Sequence, residues 1–113
     1  MYTIAILTQR KAGLSREEFL EHYRTTHFAL SSSLPGLVSY QQHAAAHGAD
    51  AWTDPESDAE FDALSVYTFE SLEAGRAAFA GPEGQAVDAD TGTFIDWDSV
   101  RFFPGQQIQR FDR

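Results

Sequence analysis

A chain of 113 residues, 42% hydrophobic and 13% aromatic, holds enough apolar material for one core. A single domain over residues 1–113 is expected, and wholesale disorder is excluded. The balance of 17 acidic against 8 basic residues, a net charge of −9, repels phosphate backbones and anionic lipid and argues against nucleic-acid and membrane partners.

There is no cysteine, which removes disulfides, thiolate nucleophiles and cysteine-ligated metal centres. The opening MYTIAILTQRK carries too short an apolar run for a signal-peptide core or a membrane span, so a cytoplasmic protein is expected.

Residues 2 to 9, YTIAILTQ, alternate as a first strand with Tyr2, Ile4 and Ile6 on one face and Thr3, Ala5 and Leu7 on the other. After the break at Lys11-Ala12-Gly13, Ser15 and Glu18 have the spacing of a capping box and predict a helix start. The helix runs to about residue 30, with Phe19, Leu20, Tyr23, His27 and Leu30 as its inward stripe. Ser31-Ser32-Ser33 weakens it and Pro35-Gly36 ends it.

Leu37 to Ala44 reads as a second strand, with Val38, Tyr40 and Gln42 on one side and Leu37, Ser39, Gln41 and His43 on the other. The segment AAHGADAWTDPESDAE exceeds a typical connection of about 4–6 residues, a length that suggests a lid or binding loop. Phe61 to Phe69 alternates as a third strand. Ser71 caps a second helix containing Leu72 and Phe79, which Gly81-Pro82 stops. A short helical or irregular stretch leads to a last strand near Asp98 to Phe103, where Trp97 is expected in the core. The tail GQQIQRFDR extends that strand or forms an arm.

The order β-α-β-β-α-β predicts an α+β, ferredoxin-like fold: an antiparallel sheet with both helices on one face. The uncovered face is expected to be apolar and to pack against a second copy, giving a homodimer.

Few motifs carry chemistry. His43 and His47 are four residues apart, but across a strand end and loop that spacing does not converge two imidazoles on a metal. Asp88-Ala-Asp90-Thr-Gly92 fails the calcium-loop register, with Gly92 at the fifth position and Ser99 at the twelfth. GxSxG, P-loop and GxGxxG patterns are absent. Neither a metal nor a cofactor is expected. His27 has two readings: a buried imidazole tying helix to loop, favoured near a helix C-terminus by the dipole, or an acid/base group facing a ligand.

The set Gly13-Leu14-Ser15, Glu18-Phe19, Tyr23, His27, Leu34-Pro35-Gly36-Leu37 and Tyr40 resembles the EthD domain family of the dimeric α/β-barrel superfamily. Phe61-Asp62-Ala63 resembles that family's aromatic-Asp-Gly entry to the third strand. Asp90 with Phe94-Ile95-Asp96 resembles its acidic stretch before the last strand. The departures are Ala63 where glycine is usual and Thr91 where an acidic residue is usual. The resemblance implies a homodimeric barrel with a cleft between each sheet and its own helices. In related families such clefts bind aromatic or polyketide-like molecules and host cofactor-free monooxygenation, isomerisation, dehydration or cyclisation. Related polyketide cyclases carry a histidine late in the chain, and none follows His47 here.

The expected activity is that of a small cofactor-independent enzyme acting on a hydrophobic, oxygen-bearing small molecule. Its alternative is a non-catalytic ligand-binding accessory protein of an oxidative degradation or biosynthetic pathway. The candidate acid/base and hydroxyl groups are His27, Tyr40 and His43. The candidate substrate-binding residues are Tyr23, Phe61, Tyr67, Phe102 and Trp52. An apolar cleft strengthens a few such polar groups by excluding water.

Overall fold

Alternation of β-branched and apolar residues places β1 (Tyr2–Thr8) at the middle of the sheet, paired antiparallel to β3 (Ala63–Phe69) on one side and β4 (Arg101–Gln106) on the other. Strand β2 (Leu37–Ala44) completes the order β2-β3-β1-β4. This computed structural model describes residues 1–46, 52 and 60–113. The long segment after β2, including His47, lies almost wholly outside the described residues. The architecture is the expected ferredoxin-like one.

The capping box forms: Ser15 Oγ accepts from Glu18 N at 3.1 Å, and Glu18 Oε1 accepts from Ser15 N at 3.0 Å. From it runs α1 (Arg16–His22), but the helix does not continue as one regular element. A π-helical turn, Tyr23–His27, intervenes before α2 (Phe28–Ser32). Gly36 closes the following turn at φ +75°, a conformation that favours glycine.

Three further expectations about the elements are corrected. A bulge between Leu37 and Ser39 breaks the alternation of β2, so Leu37 packs into the same core as Tyr40 while Val38 is exposed. Gly81-Pro82 ends α3 (Leu72–Ala80) but also starts a full helix, α4 (Pro82–Phe94), with proline in its first turn. The inward positions of α4 are Gly84, Val87, Thr91 and Phe94, spaced three or four apart. Glycine and threonine on that stripe hide it from a hydrophobic pattern. Gly84 is needed there, because a Cβ would lie 2.2 Å from Phe79 Cα. Lastly, β4 starts at Arg101 because Trp97–Ser99 form a 3₁₀ turn capped by the Asp96 side chain, which leaves Trp97 exposed rather than in the core.

The core lies between the sheet and its helices in two clusters. Phe19, Tyr23, Ala63, Phe94 and Ile95 form one; Leu34, Tyr67, Phe69, Ala78 and Val87 form the other. Alternate residues of β3 contribute to both, so every helix packs on the same face. The opposite face is less apolar than expected. Thr3 and Thr68 share a hydroxyl contact of 3.2 Å there, and Ser39, Gln41, Thr68 and Phe103 border a recess with Gln107 and Arg110 of the tail. After Gln107 N bonds the Met1 carbonyl, the tail is irregular, with Ile108 and Phe111 exposed.

Candidate functional site

The helix-facing side of the sheet does not pack completely against its roof. A cavity of about 530 Å³ remains, within the range of about 300–1,000 Å³ usual for small-molecule sites. Ile4, Ile6 and Thr8 of β1, with Ser65 and Tyr67 of β3, make its floor. Gly75 and Phe79 of α3 and Val87 and Thr91 of α4 roof it. Arg76, Asp88, Trp97 and Phe102 also line it and are exposed, forming its rim.

His27 opens onto this cavity from the last residue of the π-helical turn and is 3% exposed. Its Nδ1 lies 2.9 Å from Asp90 Oδ2, and no other hydrogen bond reaches the ring from the described residues. A carboxylate only accepts, so this contact places the imidazole proton on Nδ1 and leaves the Nε2 lone pair for a ligand. The other carboxylate oxygen, Oδ1, is 2.8 Å from His22 Nε2. The Phe94 ring packs edge-on against His27 at 5.0 Å between centroids. Tyr23 stacks on its other neighbours at 6.0 Å from His27 and 5.6 Å from Phe19.

Burial pushes the His27 imidazole below its ordinary value near 6.5. The hydrogen bond and charge of Asp90 oppose that shift, and the charge of His22 adds to it. Near neutral pH the ring is therefore an uncharged base. Between the folded and unfolded values the unfolded chain binds more protons, so stability rises with pH across that interval. The contribution is complete above about pH 6.5 and is lost as pH falls toward the folded value. Urea unfolding at about pH 7.5 and about pH 5 should show the loss, and His27→Gln should flatten it. An unflattened slope would place the proton uptake elsewhere.

The other expected residues divide by position. Tyr67 and Phe102 line the cavity, the first with its hydroxyl 2.9 Å from Ser31 Oγ, the second at the rim. Tyr23 is buried behind His27, its hydroxyl 2.6 Å from Ser65 Oγ and 3.2 Å from the Leu64 carbonyl. Desolvation holds both tyrosines far above the ordinary phenol value, so neither ionises near neutrality. Tyr40 packs on Tyr67 at 4.6 Å and accepts from Gln42 Nε2, outside the cavity lining. Phe61 is half-buried and Trp52 exposed, and neither lines the cavity. His43 is exposed and follows the alternation of Ser39 and Gln41, which border the recess on the other face of the sheet. Two-residue periodicity thus separates His43 from His27 by the thickness of the sheet.

Asp90 and His22 were not expected at the site. Asp90 lay within the acidic stretch of the family resemblance, a pointer to its position without its partner. The second acidic mark, Asp62, ties the start of β3 to the end of β1 by accepting from Arg10 N at 2.7 Å and Arg10 Nη1 at 2.6 Å. Among the described residues, no group of three or more histidine, aspartate or glutamate side chains is placed to hold a metal ion. No helix among them is long and apolar enough to cross a membrane.

The EthD domain pattern matches residues 11–98. No relative among curated protein sequences matches significantly. Among solved structures, an EthD-family protein from Bacillus halodurans is 20% identical with a TM-score of 0.76, covering 96% of this chain and 99% of that one. A dimeric ferredoxin-like protein of unknown function from Thermobifida fusca is 16% identical with a TM-score of 0.69, covering 94% and 90%. SnoaB, a cofactor-independent oxygenase from Streptomyces nogalater, is 13% identical with a TM-score of 0.67, covering 99% and 97%. At these identities the likeness is one of fold.

Proposed function

Since the chain belongs to the EthD domain family, we propose that it is a small cofactor-independent enzyme with His27 as acid/base. Its substrate is a hydrophobic, oxygen-bearing molecule, an aromatic or polyketide-like ring. The observation that carries this reading is a buried, uncharged imidazole, fixed at Nδ1 by Asp90 and set in the wall of a largely apolar cavity. Nε2 takes a proton from an acidic C–H or O–H of the ring, and the electron pair left behind delocalises over the ring and its oxygen. Exclusion of water strengthens the contact between Nδ1 and the Asp90 carboxylate, which stabilises the imidazolium as it forms. Return of the proton to another atom of the substrate gives isomerisation; attack of the carbanion on a carbonyl carbon of the same molecule, whose oxygen then takes the proton from Nε2, gives cyclisation; and bonding of the carbanion to dioxygen, which is reduced to a peroxide that takes the proton from Nε2, gives an oxygenated, hydroperoxide product. The fold-level neighbour SnoaB, an oxygenase without cofactor, supports the last of these.

Incubation with anthrones, hydroxynaphthalenes and linear polyketone mimics in air, followed by mass spectrometry, tests the proposal. Conversion of at least one compound is expected. Binding without conversion would favour the accessory-protein reading, and neither binding nor conversion would refute both.

The homodimer belongs to the same proposal. Phe103 on the outer side of the sheet is 71% exposed, and a second copy on that face would cover it together with the apolar residues of the tail. The dimeric description of the Thermobifida fusca neighbour supports this arrangement. Light scattering after gel filtration at micromolar concentration should return twice the chain mass; a monomer there would remove the dimer.

A further inference from the structure

His22 and His27 are five residues apart. Along a regular α-helix, five residues turn through about 500°, which sets the two side chains roughly 140° apart. The π-helical turn absorbs the difference, with the Phe28 N–H reaching back five residues to the Tyr23 carbonyl. Both imidazoles then meet one carboxylate, His22 Nε2 at 2.8 Å from Oδ1 and His27 Nδ1 at 2.9 Å from Oδ2 of Asp90. Phe94, one turn beyond Asp90, touches both rings, with centroids 4.5 and 5.0 Å away. Side-chain exposure falls along the chain of groups, from 32% at His22 to 10% at Asp90 and 4% at His27. Single π-helical turns concentrate at functional sites, and this one has a visible product.

We propose that His22 is a positioning residue for His27: it holds the Asp90 carboxylate in register with Nδ1. The inference rests on reading His27 as the acid/base group. With one partner, a carboxylate can rotate and release the ring; with an imidazole on each oxygen it is held in a single orientation. The charge of His22 adds to the lowering of the His27 value, so the base remains free. The charged groups facing the His27 ring are Asp90 from α4 and His22 from its own helix. The sheet offers it the hydroxyls of Ser65 and Tyr67, Tyr23 stacks on it, and Arg76 and Asp88 stand at the cavity rim.

Imidazole titration followed by long-range proton–nitrogen correlation NMR tests this on the free protein, in the wild type, His22→Gln and His22→Phe. In the wild type the His27 proton should sit on Nδ1. In His22→Phe the tautomer should become mixed and the titration midpoint of His27 should move up. His22→Gln should restore the tautomer, since its amide can donate to Oδ1, while the midpoint still moves up for want of the second charge. An unchanged His27 tautomer in His22→Phe overturns the inference, and so does an unchanged midpoint in His22→Gln; should the phenylalanine variant fail to fold, His22→Ala, which likewise cannot donate to Oδ1, takes its place. No ligand enters this experiment, so a negative result removes His22 and leaves the reading of His27 to the conversion assay.

Discussion

His27→Ala should lower turnover of any compound the wild-type protein converts by about 10²–10⁴-fold, the usual contribution of a positioned acid/base group. The loss should fall on kcat rather than KM, because the apolar walls that seat the ring remain while the proton acceptor is gone. Alanine also deletes the ring that Phe94 and Tyr23 enclose, so folding is checked by circular dichroism and mass by light scattering. His27 lies on the helix side of the sheet, away from the proposed contact between copies, and the dimer should persist. Asp90→Asn is the companion experiment. An asparagine amide can turn its NH₂ toward Nδ1, favouring the tautomer with the proton on Nε2 and blocking the base. Its effect should approach that of His27→Ala while leaving the cavity walls in place. Unchanged kcat in His27→Ala would remove the imidazole from the mechanism and leave it as a bridge between helix and α4.

Phe69→Ala should destabilise the protein by about 3–5 kcal/mol, the cost of emptying a filled aromatic site. At roughly 4 °C per kcal/mol for a chain of this size, the melting temperature should fall by about 12–20 °C. Phe69 is 0% exposed at the end of β3, and its ring packs at a steep angle on Phe79, 6.1 Å between centroids. Gly75 comes so close that a Cβ built on it would stand 3.1 Å from Phe69 Cδ2. A backbone with no side chain cannot refill the hole, so relaxation should recover little of the loss. Gly75 and Phe79 also roof the cavity. The same substitution should therefore weaken ligand binding. Thermal unfolding monitored by circular dichroism reads the shift, and a fall of less than about 4 °C would show that α3 is anchored elsewhere.

The two substitutions mark different kinds of information. Phe69 could be placed in the sequence because strand alternation and a following helix cap mark its position, and both are local signals. His27 was visible as an inward helical residue, but the group that gives it a function is Asp90, 63 residues away. Nothing in the spacing of either residue names the other. The helix carrying Asp90 was itself read as short or irregular, since its inward stripe uses Gly84 and Thr91 where a periodicity search looks for large apolar residues. His43 shows the reverse case: its type suggested chemistry, while its place in the alternation sent it to the other face of the sheet.

By itself the sequence determined the order of strands and helices, the capping box at Ser15 and Glu18, and the turn at Gly36, hence the ferredoxin-like fold. Those features follow from backbone propensities and periodicities that act within a few residues. Only the tertiary structure decided that a π-helical turn aligns His22 with His27, that one carboxylate serves both, and that a cavity survives beneath α3 and α4. Each of these depends on how closely two surfaces distant in the chain approach, and close packing, unlike propensity, is a property of the pair rather than of either segment.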